Sequence, residues 1–230
     1  GGWLHDCNTC TNTSMWQGII VNSGGTLIAN EEVIVSHGHV TGQFENIIED
    51  AVQAVKINSN SGGTAQSYTI TNTIFNNNTQ DIYIDANTAD LSANQIYNCV
   101  FTCRNLGTPS LLLGDFQATQ TDILATTPLH ASTSNPTDFT IAGARTTHGI
   151  YVNTGNITYP IIVGANAGTY GANIFDNLDY GIYAYKSNLT AINNNFQNLT
   201  GNVTDQIGVG IASDASTGTN TGVKAVLIVG

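Results

Sequence analysis

Three stretches of this chain, "IIEDAVQAV" at 47–55, "IFNNNTQDI" at 74–82 and "IFDNLDYGI" at 174–182, are one phrase in different words. Each has two adjacent apolar residues, a polar corner, and another apolar residue seven places after the second. Alone, "FENIIEDAVQAV" passes for an amphipathic helix, with Phe44, Ile47, Ile48, Ala51 and Val55 near a 3.6-residue period. The other copies place Asn-Asn-Asn-Thr or Asp-Asn-Leu-Asp where a helix needs helix formers. One conformation must serve all three, so the phrase reads strand, turn, strand.

Its second half recurs more widely, as a small or acidic residue followed by apolar, any, apolar. The copies begin at Gly18, Ala54, Asp81, Gly149 and Gly181, with a weaker one at Gly210 and Ser110–Leu113 filling the central gap. The aromatic half recurs at Phe75, Phe101, Phe139, Phe175 and Phe196, with Ile48 as its aliphatic form. Intervals of roughly 20 to 40 residues, with period-2 strands between Asn/Gly corners, predict stacked turns with loops of unequal length. The expected fold is all-β, a right-handed parallel β-helix of about seven to eight irregular coils forming one domain over residues 1–230. Residues 1–15 are a candidate cap, 107–147 an irregular coil with long loops, and 223–230 a terminal strand. Asn72, Asn98 and Asn193 each precede the aromatic by three residues and are candidates for a corner ladder of stacked amides.

Composition agrees with this and removes other classes. Charged residues are 9% of the chain and apolar ones 41%, too few charges for a coiled coil or most helical bundles. Sixteen acids against five bases give a net charge of −11, which argues against nucleic acid and anionic membranes as partners. No apolar run approaches the roughly 20 residues of a membrane-spanning helix. The chain opens Gly1-Gly2-Trp3 without Met, as expected of a processed chain or an excised piece. Sequons start at Asn12, Asn77, Asn156, Asn188, Asn198 and Asn202, candidate glycosylation positions that fit an extracellular address.

The stretch "MWQGIIVNSGGTLIANEEVIVSHG", followed by "IIEDAVQAVKI" and "ITNTIFNNNTQDIYI", resembles the opening coils of right-handed parallel β-helix proteins that bacteria export, in particular large surface proteins of Bacteroidetes. The resemblance covers nearly the whole chain and is weakest over 107–147. It implies a cell-surface or extracellular location and a fold that serves polysaccharide lyases, hydrolases, tailspikes, adhesins and inert spacers alike.

The chemistry such enzymes need is thinly represented. A polygalacturonase-like site would use clustered Asp, a Gly-His-Gly and an Arg-x-Lys, and the chain has no Arg-x-Lys. The candidate catalytic cluster is Arg145 with His148, facing Asp176 and Asp179 one coil on; by alignment His148 occupies the corner position of Gln80 and Tyr180. His37 and His39 have the period-2 spacing of a metal pair, with Glu31, Glu32 or Glu45 as a third ligand, but two His around a Gly at a strand end are more often a solvated turn, and no metal site is expected. No cofactor is expected. Cys7 with Cys10 and Cys99 with Cys103 are candidate local disulfides, since cross-pairing would span several coils. Tyr83, Tyr151 and Tyr183 share one outward position and form a candidate strip for stacking carbohydrate, or simply suit a strand's solvent side. The reading that fits best is a non-enzymatic structural or adhesive protein that self-associates end to end or continues into further domains. The alternatives are a polysaccharide-active lyase or hydrolase and a carbohydrate-binding module.

Overall fold

A computed structural model describes residues 3–4, 15–30, 43–44, 46–60, 62–106, 118–128, 146–155, 158–165, 171–199, 208–214 and 225–228. The fold is all-β, built from four parallel sheets and two short antiparallel pairs. The first, the phenylalanine sheet, has six strands in the order β1 (Trp3–Leu4), β5 (Asn46–Glu49), β8 (Thr73–Asn76), β11 (Val100–Thr102), β17 (Asn173–Asp176) and β20 (Asn194–Gln197). The tyrosine sheet also has six: β2 (Ile19–Val21), β6 (Gln53–Ile57), β9 (Gln80–Ile84), β15 (His148–Val152), β18 (Tyr180–Tyr185) and β21 (Val209–Asp214). The third face holds β3 (Thr26–Ala29), β7 (Ser67–Thr71) and β10 (Gln95–Tyr97), then β16 (Ile161–Gly164), β19 (Leu189–Ile192) and β22 (Ala225–Ile228), with β10 lying against β16. From β5 onward the chain takes the tyrosine sheet, the third face and the phenylalanine sheet in rotation. Each new strand lies parallel to the one laid down before it on the same face.

Register follows the repeated phrase. Ile19, Val55, Ile82, Ile150, Ile182 and Ile211 stand opposite one another across the tyrosine sheet. The four central members are fully buried, and Ile19 and Ile211 pack against the same core. Facing them, Phe75, Phe101, Phe175 and Phe196 form a column of parallel rings with successive centroids 5.1, 4.6 and 4.9 Å apart. Where the column lies closest, the residue before the isoleucine must be glycine. A Cβ on Gly181 would stand 2.5 Å from Cε1 of Phe196, and one on Gly149 2.7 Å from Cδ1 of Phe175. Residues 46–49 and 53–57 are strands, so the helical reading of this stretch is excluded.

Two sets of bends are built on left-handed residues. Asn72, Asn98 and Asn193 bend the chain into the phenylalanine sheet with φ of 50°, 51° and 52°, a left-handed conformation that Asn tolerates better than most residues. The Asn98 amide donates to the Asn72 side-chain oxygen, as a corner ladder requires. Asp50, Asn77, Asn177 and Asn198 take the same conformation where the chain leaves that sheet, and Asn77 Nδ2 donates to Asp50 Oδ1 at 2.6 Å.

Two expectations are corrected. β9 bonds directly to β15, so the place reserved for Ser110–Leu113 between those copies does not exist, and the described residues hold six strands on each larger sheet. The chain between β11 and β15 instead carries α1 (Gln120–Ala125) and two short antiparallel pairs, β12 (Arg104–Asn105) with β14 (Thr127–Pro128) and β13 (Ala118–Thr119) with β4 (Gln43–Phe44). Ile123 of α1 joins Phe44, Ile47, Ile74, Val100 and Ile174 in a second core outside the phenylalanine sheet, with Leu124 packed against it. Secondly, Cys99 and Cys103 are not bonded to each other. They flank the extended strand β11 as free, buried thiols. Cys99 Sγ donates to the Ile70 and Tyr97 carbonyls, Cys103 Sγ to Asn77 Oδ1, and burial pushes the Cys99 thiol up to about 12. Cys7, Cys10, the 107–117 stretch and most of the candidate cap lie outside the described residues.

Candidate functional site: the exposed face of the tyrosine sheet

Side chains alternate along each strand, so residues one place from the buried isoleucines point outward. On the tyrosine sheet this puts Lys56, Tyr83, Tyr151 and Tyr183 in one row, all partly exposed. Gln53, Gln80, His148 and Tyr180 form the row on one side. On the other side Asp85, Asn153, Tyr185 and Asp214 follow one another at the strand ends.

The three tyrosine rings are nearly parallel, at 9° and 10°, with centroids 5.2 Å apart at both steps. Parallel rings that close cannot lie side by side in one plane, because their edge hydrogens would overlap; they stack face toward face. Tyr151 is therefore covered on both faces. The Lys56 ammonium sits 5.6 Å from the Tyr83 centroid, within cation–π range. What the ladder offers outward is ring edges and hydroxyl groups. The expectation that a sugar ring could stack on this strip is corrected accordingly.

His148 belongs to the same aromatic cluster. Its ring stacks on Tyr180 at 5.0 Å and meets Tyr151 and Tyr183 edge-on at 5.2 and 5.5 Å. Nδ1 lies 2.9 Å from the Thr147 hydroxyl, and burial depresses the imidazole to about 4, so it is neutral at physiological pH. Burial is also the first cause holding the Tyr83, Tyr151 and Tyr183 hydroxyls above their ordinary value; the charge of Asp85 adds to it at Tyr83, and that of Asp214 at Tyr151 and Tyr183. All three hydroxyls remain protonated donors at neutral pH.

Of the carboxylates expected to face His148, Asp176 is placed elsewhere, while Asp179 stands directly before Tyr180, whose ring stacks on His148. Asp176 ends a strand of the phenylalanine sheet and is fully buried, receiving Arg104 Nε at 2.5 Å and Nη2 at 3.1 Å. Thr102 Oγ1 at 3.0 Å, Asn198 Nδ2 at 2.8 Å and Gln197 Nε2 at 3.4 Å complete its partners. Burial would raise this carboxyl, but the hydrogen bonds from Arg104 and Asn198 and the Arg104 charge outweigh it and hold the group below its ordinary value. Arg104 Nη1 also donates to the Leu124 carbonyl at 2.9 Å and to the Thr126 carbonyl, which ties the α1 excursion down. Asp179 is 4% exposed and its backbone N–H donates to the Thr146 carbonyl at 3.3 Å. The buried ion pair that the sequence did not announce is thus structural, and it occupies one of the chain's five cations.

Asp81, which begins one copy of the repeat, is a third buried acid. It stands in the column of small residues, opposite Ala54 and Gly149, with Oδ1 accepting from Asn78 Nδ2 at 2.9 Å and no partner at Oδ2. Burial raises its pKa well above the ordinary 3.8, only partly opposed by the Asn78 hydrogen bond. Its sequence signal was the acid at a position otherwise held by Gly or Ala.

Of the remaining expectations, Asn77 is buried with its amide nitrogen donated to Asp50, so the folded chain cannot present it to a glycosylating enzyme. Asn188 is half-buried, and Asn198 is exposed while bonding Asp176. Arg145, His37, His39, Glu31, Glu32, Glu45, Asn12, Asn156 and Asn202 lie outside the described residues. Among the described residues no three His, Cys, Asp or Glu side chains are grouped to hold a metal ion, and no helix is long and apolar enough to cross a membrane. No family model, curated protein or solved structure matches this chain.

Proposed function

We propose that the chain is an exported right-handed parallel β-helix whose work is structural and adhesive, not catalytic. The rotation of the chain through three faces of parallel strands supports the coil. Its right hand follows from the strong preference of parallel strand connections for that sense. The observation that carries the functional reading is the tyrosine sheet itself. One register runs through six strands, with an unbroken aliphatic row inside and, on the three consecutive strands of Tyr83, Tyr151 and Tyr183, an aromatic row outside. Meanwhile the candidate acid–base residues serve packing: Asp176 is engaged by Arg104, and His148 is neutral within an aromatic cluster. The location is the cell surface or beyond. The coil ends associate with further copies or further domains, a reading supported by Leu4, Ile20 and Ile28. These are 46%, 52% and 66% exposed and sit one on each face of the first turn. Unpaired strand edges with exposed apolar side chains favour strand addition, and a head-to-tail contact that does not close builds a fibre.

Two measurements on the purified chain test this. Small-angle scattering is expected to give an elongated particle that lengthens with concentration, and lyase and hydrolase assays on acidic and neutral polysaccharides are expected to stay at background. A compact, dilution-resistant monomer would remove the assembly reading. Turnover abolished by His148→Ala would replace the structural reading with a polysaccharide-active enzyme.

A further inference from the structure

We propose that the tyrosine face holds an extended, uncharged β-1,4-linked glycan along the axis of the strand stack, through hydrogen bonds from tyrosine hydroxyls and to the flanking Asp85 and Asp214 carboxylates. The inference rests on the adhesive reading and names its partner.

Three observations carry it. The first is the chemistry of the face. Tyr183 Oη donates to Asp214 Oδ2 at 3.2 Å, and Tyr83 is hydrogen-bonded to Asn153 and Asp85. When a sugar hydroxyl takes the phenol's place on the carboxylate, the phenol's one proton is released to a sugar oxygen, so the pair serves as acceptor and donor to neighbouring sugar hydroxyls; bonds to the charged oxygen are the stronger ones. The second is the repeat. Rungs recur at the strand spacing of roughly 5 Å, about the advance per sugar of an extended β-1,4-linked chain. Successive Tyr83, Tyr151 and Tyr183 hydroxyls therefore meet successive sugars. Asp85 and Asp214 are three strands apart, about 14 Å, so a ligand bridging both needs about four sugars.

The third is charge. On this face Lys56 and Lys186 balance Asp85 and Asp214, and the chain as a whole carries −11. An uncharged polymer meets no repulsion here, whereas a polyanion meets the field of the whole chain. A second copy laid face to face would bury these four charges together with its own four, each then needing a partner in good geometry. Because the faces of Tyr151 are closed by its neighbours, binding by ring stacking is not the mode.

The test is calorimetric titration of the full chain with cello-oligosaccharides and N-acetylchito-oligosaccharides, from disaccharide to hexasaccharide, with oligogalacturonate as the charged comparison. In at least one neutral series, affinity is expected to climb to the tetrasaccharide and then level off, with oligogalacturonate unbound. Tyr151→Phe, Tyr183→Phe and Asp214→Asn are each expected to weaken the tetrasaccharide several-fold while leaving the melting temperature unchanged. Wild-type affinity in both Phe variants would mean the rings, not the hydroxyls, bind, and would overturn the proposal. So would the absence of binding in both neutral series, or preference for the acidic oligomer. A concentration-dependent dimer lost on Tyr151→Ala would make the face a self-interface, which also overturns it. An elongated particle by scattering that binds no glycan sinks this inference and leaves the architectural reading standing.

Discussion

Removing the Asp176 carboxylate is expected to be among the most damaging single changes outside the isoleucine and phenylalanine rows. In Asp176→Ala, Arg104 remains 4% exposed, with two of its guanidinium N–H groups losing their acceptor and its charge losing its counter-ion. Thr102, Gln197 and Asn198 each lose a partner as well. Breaking a buried ion pair from one side costs about 3–5 kcal/mol, because the surviving charge is stranded. For a chain of this size each kcal/mol moves the melting temperature by about 2–4 °C, so the expected drop is roughly 6–20 °C. The double variant Arg104→Met, Asp176→Leu removes both charges, and it is expected to lose less than the sum of its single changes by about 1–3 kcal/mol. Hydrogen exchange should show α1 losing protection in the double variant, which lacks Arg104, since Arg104 holds the Leu124 and Thr126 carbonyls.

The same pair predicts a pH window. The folded Asp176 carboxyl lies below its ordinary 3.8, so its contribution is complete above that value and is lost as the pH falls through the lowered one. Denaturant titrations of wild type and Asp176→Ala should therefore differ most near neutrality and converge in strong acid. A loss under about 1 kcal/mol at pH 7, or single changes that add to the double, would refute the view that the pair is closed off from water and couples the excursion to the sheet.

Asp81 carries the opposite sign. Its folded pKa is raised, so the folded chain keeps a proton that the unfolded chain gives up, and stability falls as pH rises from about 4 through the raised value. Asp81→Asn is expected to remove that slope, so its melting temperature should gain on wild type as pH increases; a constant difference across pH would show Asp81 to be solvated. Ile182→Asp is expected to prevent stable folding, because it sets a carboxylate between Ile150 and Ile211 with no partner. Tyr183→Ser, one residue away and half-exposed, should cost no more than about 1 kcal/mol, and equal losses in thermal melts would contradict the inward and outward assignment.

The rows were legible because each copy of the phrase repeats a two-residue alternation that only one strand face can bury. Val55, Ile82, Ile150 and Ile182 could be aligned before any coordinate was known, and the rings at Phe75, Phe101, Phe175 and Phe196 followed from the same register. The second core was written just as plainly but read as half a signal. Ile47-Ile48, Ile74-Phe75, Val100-Phe101 and Ile174-Phe175 are adjacent apolar pairs, and in a strand adjacent residues face opposite ways. Four such pairs require a cover on the outer face, which Phe44 and Ile123 supply. The pairing of Arg104 with Asp176 was not legible: 72 residues separate them, Asp176 reads in the repeated phrase as an acid facing His148, and only stacking of β11 on β17 brings it to Arg104. Cys99 and Cys103 misled because sequence proximity suggests a loop, whereas an extended strand between them holds the thiols apart.

The irregular period, which most obscures the repeat, has a location. Single left-handed residues at Asn72, Asn98 and Asn193 mark the bend into the phenylalanine sheet, and short left-handed turns at Asn77 and Asn177 mark the bend out of it. Between the tyrosine sheet and the third face the connection varies instead, from Ile57 to Ser67, Ile84 to Gln95, Val152 to Ile161, and Tyr185 to Leu189. Lengthening a surface loop costs only about 0.6 kcal/mol per doubling, while shifting a strand by one residue would turn its isoleucine out of the core. Insertions are therefore absorbed at corners: the longest, between β11 and β15, leaves the phenylalanine sheet, while lengths vary from copy to copy at the corner between the tyrosine sheet and the third face. That corner borders the row of Asp85, Asn153, Tyr185 and Asp214, so the segments free to change in length flank the tyrosine face without moving its rungs. A surface that must keep a constant spacing while adapting its margins to a partner is best placed there, and it is the face on which the chain exposes its aromatic ladder.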